Sequence, residues 1–236
     1  MNVKKETLPT PKARMLRFLR DVVVVVLIAM LGSFLIRSFI AESFYIPSAS
    51  MENTLKINDR ILVSVLPQNI SPVSRGDIIV FTDPGGWMGK DSTPEVDPFT
   101  KLITFSSHNN ENSLVKRVIG LPGDHVTCCN AEGQISINGK AIVEPYVLLP
   151  PGKTRVSDVY FDVIVPEGQL FVLGDNRYNS KDSRYNPEAE YGGFVPYSKV
   201  LGKVFLKTWP VNSISLIDTY PQTFADVPAA VKEDQN

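Results

Sequence analysis

The chain has 236 residues, enough for one sizeable folded domain and an anchoring segment. A formal net charge of −1 and a pI of about 6.2 speak against a nucleic-acid partner. Two histidines and two adjacent cysteines offer no cluster at metal-ligand spacing, so no metal centre is expected.

The charge is unevenly placed along the chain. Lys4, Lys5, Lys12, Arg14, Arg17 and Arg20 crowd the N-terminus against one acid before Asp21, Glu6. An uncharged apolar run follows from Val22 to Ile36, then Arg37 and Ser38-Phe39-Ile40-Ala41. The run is somewhat shorter than the roughly 20 residues a bilayer requires. Arg37 snorkelling toward the interface lets Phe39 and Ile40 extend it. We expect a basic cytoplasmic tail over 1–20, a transmembrane helix over 21–41, and everything later outside the cytoplasm. The competing readings are a cleavable signal peptide, with an apolar core of about 7–15 residues, and a buried helix of a soluble protein. The second conflicts with the absence of a polar face.

From residue 42 to 217 the pattern predicts a mainly β, antiparallel extracytoplasmic domain. Asp59–Leu66, Asp77–Phe81, Ser113–Ile119, Gln134–Ile137, Tyr160–Val165 and Gln169–Leu173 are short runs rich in Val, Ile, Leu and Phe. Gly, Pro, Asn and Asp punctuate them, as expected of strands. Asn138-Gly139 predicts a two-residue hairpin between Ile135–Ile137 and Ala141–Val143. Leu121-Pro122-Gly123-Asp124 predicts a turn. Residues 83–112 lose the periodicity and read as a mobile insertion between two strands. Residues 218–236, with two prolines and a polar end, read as a loosely packed tail. The neighbouring Cys128 and Cys129 are read equally as a small strained disulfide ring or as two free thiols.

Three segments carry candidate chemistry. Ser50 follows Pro47-Ser48-Ala49, small residues that admit a substrate backbone. A serine hydroxyl needs a neighbouring base to become a nucleophile. Lys116 lies in Leu114-Val115-Lys116-Arg117-Val118, where strand alternation separates it from Arg117 and puts Leu114 and Val118 on its face. Apolar surroundings lower a lysine's pKa and yield the neutral amine that a general base requires. Alone, this pair of cations reads more readily as the surface of an edge strand. Gly174-Asp175-Asn176-Arg177, continuing through Ser180, Asp182 and Arg184, is a polar loop after an apolar strand. Asp–Arg pairing there would order the loop and bring Ser180 to the lysine; a solvated loop is the plain alternative.

In this order, behind a single apolar segment, these motifs resemble the bacterial type I signal peptidase family. The resemblance takes in Ile46–Val63, Arg75-Gly76-Asp77-Ile78-Ile79-Val80-Phe81, Val115–Val126, Gly174–Arg184 and Gly193-Phe194-Val195-Pro196. It implies a membrane-bound serine endopeptidase that removes signal peptides after small residues, in Ala-x-Ala sites, without cofactor or metal. Its implied partners are signal peptides of exported preproteins and the lipid bilayer. Ser50 is then the acylating nucleophile and Lys116 the general base. Ser48 and the Ser50 N–H form the oxyanion hole, and Ser180 orients the lysine. Asp182 and Arg184 form a supporting pair, with Asp175 and Arg177 structural. Phe44, Ile46, Leu55 and Val115 line shallow substrate pockets, and Phe39, Phe44 or Trp87 belong to an apolar surface that dips into the bilayer. Ala49 and Asn53 depart from the family's usual Gly and Pro; the second implies a looser turn.

Two other readings of the same residues are a membrane-anchored module that binds signal peptides without cutting them and a repressor-type Ser-Lys autoprotease. The first fits poorly with retention of Ser50, Lys116 and Ser180. The second fits poorly with an apolar anchor in place of a DNA-binding head. A Ser-His-Asp hydrolase would need His125 or His108, both placed by sequence in exposed segments.

Overall fold

Residues 11–39, 41–67, 69–88 and 112–230 are described by a computed structural model. They divide into two units, 1–41 and 42–236. The first contains one helix, Pro11–Phe39, in which every residue from Val22 to Leu31 is apolar. Among the described residues no helix is long and apolar enough to cross a membrane.

The second unit is mainly antiparallel β. Its strands are β1 (Ala41–Tyr45), β2 (Arg60–Ser64), β3 (Ile78–Thr82), β4 (Ser113–Gly120), β5 (His125–Cys128), β6 (Ile135–Ile137), β7 (Lys140–Ala141), β8 (Phe161–Ile164), β9 (Gln169–Leu173), β10 (Val195–Pro196), β11 (Val200–Trp209) and β12 (Ser215–Leu216). The larger sheet runs β1-β2-β11-β3-β4-β9-β10, with β12 on β11. The smaller runs β7-β6-β5-β8.

The six predicted strands are present, with ends moved by a residue or two. β3 is buried on both faces, which explains its unbroken apolar sequence. Ile78 and Val80 join a core with Phe44, Ile46, Met51, Leu55, Ile61 and Val63. Ile79 and Phe81 join another with Trp87, Val118, Leu170, Val172 and Val195. A third core sits around the smaller sheet, where Ile119, Val126, Ile135, Ile137, Phe161, Phe171 and Leu173 meet.

The longest strand, β11, was not predicted. It lies between β2 and β3, and its register shifts three times against them, between Val200 and Gly202, Val204 and Leu206, and Lys207 and Trp209. Such irregularities break the two-residue period that marks a strand. Gly202 is required within it, because a Cβ there would collide with the Ser64 carbonyl oxygen of β2.

The expected turns form. Asn138 and Gly139 take φ of 50° and 79°, the positive values of a tight hairpin, although β7 ends at Ala141. Gly123 takes φ of 81° in the turn before β5. Cys128 and Cys129 are joined in a disulfide at the end of β5.

Three expectations are corrected. The start of the 83–112 segment is an ordered turn, because the Asp83 carboxylate accepts from the N–H groups of Gly85, Trp87 and Met88 at 2.9, 3.0 and 3.0 Å. The Asp83 N–H donates to the Asn112 carbonyl at 2.8 Å, so both ends are pinned beside β3 and β4; the remainder, 89–111, lies outside the described residues. Trp87 and Phe44, read as bilayer contacts, are 2% and 3% exposed and belong to the core, Trp87 edge-on to Phe81. The side chain of Phe39 lies outside the described residues. The tail is packed as far as it is described. Phe224, in the single helical turn Pro221–Phe224, is buried, and the Asn138 amide donates to the Pro228 carbonyl.

Candidate active site

Ser50 is held by a short relay of backbone constraints. The Ile46 N–H donates to the Asp59 carbonyl and the Asn58 N–H to the Ile46 carbonyl, each at 3.0 Å, fixing the chain before Pro47. Ser48 is extended, and Ala49–Met51 form one 3-10 turn. Met51 drives that turn into the core at 1% exposure. Asn53 has φ of 88° and donates from its amide to the Tyr146 carbonyl at 3.1 Å. Proline, fixed near −65°, cannot occupy that conformation, so the turn is pinned rather than loose. The Asn176 N–H donates to the Ser50 carbonyl at 3.1 Å, tying the serine to the polar loop that follows β9.

Lys116 reaches Ser50 from β4. Its Nζ lies 2.8 Å from Ser50 Oγ and donates to the Val115 carbonyl at 2.9 Å. Both residues are buried, Lys116 at 3% exposure and Ser50 at 9%. Burial lowers the lysine's pKa from 10.5 to about 8, against the opposing pull of Asp182 and Asp175. The amine is thus deprotonated in a useful fraction of molecules slightly above neutrality. Ser48 Oγ lies 3.3 Å from Ser50 Oγ, on the same short segment.

Ser180 is placed beside this pair without touching the amine. Its hydroxyl is buried and makes no hydrogen bond to any described residue, so the lysine-orienting contact expected of it is not formed here. It packs against Gly174, where a Cβ would collide with Ser180 Oγ and sit 2.5 Å from the Ser50 carbonyl oxygen. Gly174 therefore lets the serine turn, Ser180 and the end of β9 meet.

The polar loop is held by buried ion pairs, only one of them the pairing expected. Arg184 grips Asp182 through two bonds of 2.8 Å, as predicted. Asp182 in turn accepts from the Gly174 N–H at 3.0 Å. Asp175 pairs with Arg117 at 2.9 and 2.8 Å, and Arg177 with Glu144 at 2.9 and 2.6 Å. Arg117 also donates to the Gly76 carbonyl at 2.7 Å and stacks 4.0 Å from the Tyr146 ring centre. The alternation of β4 thus sends its two cations to opposite tasks, and neither is on the surface. Arg117 was visible in the sequence as the lysine's neighbour; Glu144 carried no signal there.

A cleft of about 150 Å³ opens beside Ser50 and Lys116. Phe44, Ile46 and Val115 line it, together with Tyr45, Ser48 and Leu114. Leu55 does not, because it is fully buried behind the wall in the core beneath. Met51 and Met88 line the cleft and were missed by sequence reasoning. His125 is half exposed and pairs with Asp162 at 2.6 Å, away from these residues; His108 lies outside the described residues.

A family model described as signal peptidase, peptidase S26, matches residues 17–209. The chain belongs to the signal peptidase family. It is a serine endopeptidase of that family. Among similar proteins, a probable signal peptidase I-2 of Synechocystis is 38% identical over 182 residues, 77% of this chain and 69% of the relative. A signal peptidase I of Leptolyngbya laminosa is 34% identical over 186 residues, covering 79% and 77% of the two chains. A signal peptidase I of Mycobacterium tuberculosis is 34% identical over 219 residues, covering 81% and 73%. A solved signal peptidase I from Enterococcus faecalis aligns with 56% of this chain and 97% of its own at 28% identity, with a TM-score of 0.38. That score is too low to add to the assignment.

Proposed function

We propose that this signal peptidase removes signal peptides from exported preproteins after small residues, with Ser50 as nucleophile and Lys116 as general base. The observation that carries this reading is the 2.8 Å approach of a buried lysine amine, with its pKa lowered to about 8, to a buried serine hydroxyl. Neutral Lys116 takes the Ser50 proton as Oγ attacks the scissile carbonyl carbon. The resulting oxyanion receives hydrogen bonds from the Ser48 hydroxyl and the Ser50 N–H. One such donor is commonly worth roughly 3–4 kcal/mol of barrier. Collapse breaks the C–N bond, and the Lys116 ammonium gives its proton to the departing amine. Water then attacks the Ser50 ester, with the amine again taking the proton, and releases the free carboxyl end of the signal peptide.

Ser180 is the group available to orient the amine during these transfers, since its buried hydroxyl has no other partner among the described residues. Asp182 and Arg184 hold that serine's loop, and Asp175 and Arg177 hold it to Arg117 and Glu144. An extended peptide lies along the cleft bounded by β1 and β4, with small side chains against Phe44, Ile46 and Val115.

The proposal extends to location. The uncharged run from Val22 to Ile36, behind a cluster of Lys and Arg, supports a single-pass anchor with a cytoplasmic N-terminus. The catalytic domain then works on the extracytoplasmic face of the cell membrane, with signal peptides and lipid as its partners.

The test is cleavage of a full preprotein carrying an Ala-x-Ala site by the purified protein in detergent. Wild type cuts after the last Ala, while Ser50→Ala and Lys116→Ala do not. Cutting by either variant would remove that residue from its role. Binding without cutting by folded wild type would favour the non-catalytic module.

A further inference from the structure

The cleft draws its walls from segments of different origin. Near the chemistry its walls come from Pro47, Ser48, Met51 and Lys116, all within three residues of Ser50 or Lys116 themselves. Met88 also lines the cleft, carried by a turn that the Asp83 N–H ties to the Asn112 carbonyl, next to the start of β4 at Ser113. Met88 belongs to none of the segments that carry the dyad. It arrives from the turn after β3, and that turn is built with care.

Asp83 stands one residue beyond the last β3–β4 pair, Thr82 with Ser113. Its carboxylate gathers the N–H groups of Gly85, Trp87 and Met88. Gly85 and Gly86 have φ of 154° and 83°, values that L side chains avoid, so the reversal depends on glycine. Trp87 is then driven into the core at 2% exposure, against Phe81. With its neighbour buried and its own N–H bonded to Asp83, Met88 is delivered to the cleft from a fixed base. An unbranched thioether in that position fills space closely but can adjust by rotation.

Strand geometry gives the depth at which it acts. Ser113 and Lys116 are three residues apart on β4, about 10 Å at the roughly 3.3 Å rise of a strand. Side chains one and three residues before the cut are two residues apart, about 7 Å in an extended peptide, and so fall within that length. Side chains one and three residues before the cut point to the same side. With the first seated at Ser50, the third would fall toward Ser113, beside the turn that carries Met88.

We propose that Met88, held by the Asp83 turn, sets the size limit for the substrate side chain three residues before the cut. This rests on the proteolytic reading above. Met88 acts by excluding volume from one subsite; it takes no part in bond making.

The experiment uses the full-length protein in detergent and two series of preprotein substrates. One carries Ala, Val or Leu at the third position before the cut, and the other carries them at the first. The readout is kcat/KM for Val or Leu relative to Ala within each series. Hydrophobic pockets discriminate by roughly 10–200-fold for each methylene. Met88→Ala is therefore expected to raise the relative rate for Leu at the third position by about tenfold or more, leaving the ratio at the first position unmoved. Met88→Leu, of similar volume, keeps the wild-type ratios. Asp83→Ala, which frees the turn without altering the methionine, shifts the third-position ratio in the same direction as Met88→Ala. Unchanged ratios in Met88→Ala, or a change confined to the first position or equal at both, would overturn the proposal. Failure of wild type to cut the Ala substrates is a distinct result: it removes the proteolytic reading itself, and this assignment with it.

Discussion

Lys116, the proposed base, illustrates what a buried amine does to the molecule that carries it. Its amine is kept from water, and its pKa falls from 10.5 to about 8. Between those values the unfolded chain binds the proton more tightly than the folded one, so stability rises as pH rises from about 8 to about 10.5. Below pH 8 the burial cost is fully present, on the order of 3 kcal/mol at about 1.4 kcal/mol per pH unit. Lys116→Met should therefore abolish cleavage and raise the midpoint of urea unfolding at pH 7; an unchanged or lower midpoint would show that the amine is better solvated than its burial implies. Activity of the wild type should climb with pH and level off above about 8, following the neutral amine. A profile flat from pH 5 to pH 9 would exclude Lys116 as the base. Lys116→Arg should be inactive at every pH, because a guanidinium stays protonated. At this scale the sequence was informative about which segments meet and poor about some of their partners. Ser50, Lys116, Asp182 and Arg184 were readable because each sits in a short segment of distinctive composition. Glu144, which pairs with Arg177 across 33 residues, was not, because a single acid in a loop has no local signature.

Elements show the same division between local and distant causes. β9 and β4 were legible as apolar runs closed by Gly, whereas β11 was hidden by its three register shifts. Short segments such as β10 and β12 owe their existence to the strand beside them and carry too few residues to show a period. Close approach also leaves little trace in a sequence. Gly174 could be read as the end of a strand, but only the packing of Ser180 and the Ser50 carbonyl against it explains why no Cβ fits. Gly174→Ala should push the serine turn from β4 and lower kcat by roughly 100-fold, the usual scale for an ångström of misplacement, with a smaller change in KM. Loss of KM with kcat intact would place the effect on the cleft instead. Gly202→Ala should act differently, weakening the seam between β11 and β2 and lowering the melting temperature, while leaving the shape of the pH–rate profile unchanged.

Over the whole molecule, the C-terminal segment proves to be part of the fold. The Asp218 carbonyl accepts from Arg117, Tyr220 lies 5.5 Å from the same guanidinium, and Phe224 enters the core around the smaller sheet. Two prolines, small residues and a polar end suggested a loose tail; the burial of Phe224 depends on surfaces built far earlier in the chain. Phe224→Ala should destabilise by roughly 3 kcal/mol, read by thermal or denaturant unfolding. A change under about 0.5 kcal/mol would mark the segment as peripheral. The three arginines that brace the site have a consequence for its behaviour with heat. Arg117, Arg177 and Arg184 each meet a carboxylate with almost no solvent contact on either partner. The penalty for withdrawing such charges from water shrinks as temperature rises, while stabilisation by apolar burial levels off. The loop beside Ser50 should therefore be among the last regions to loosen on warming, and turnover should keep accelerating until the domain melts as a whole, giving a temperature optimum set by global unfolding and no earlier decline at the site.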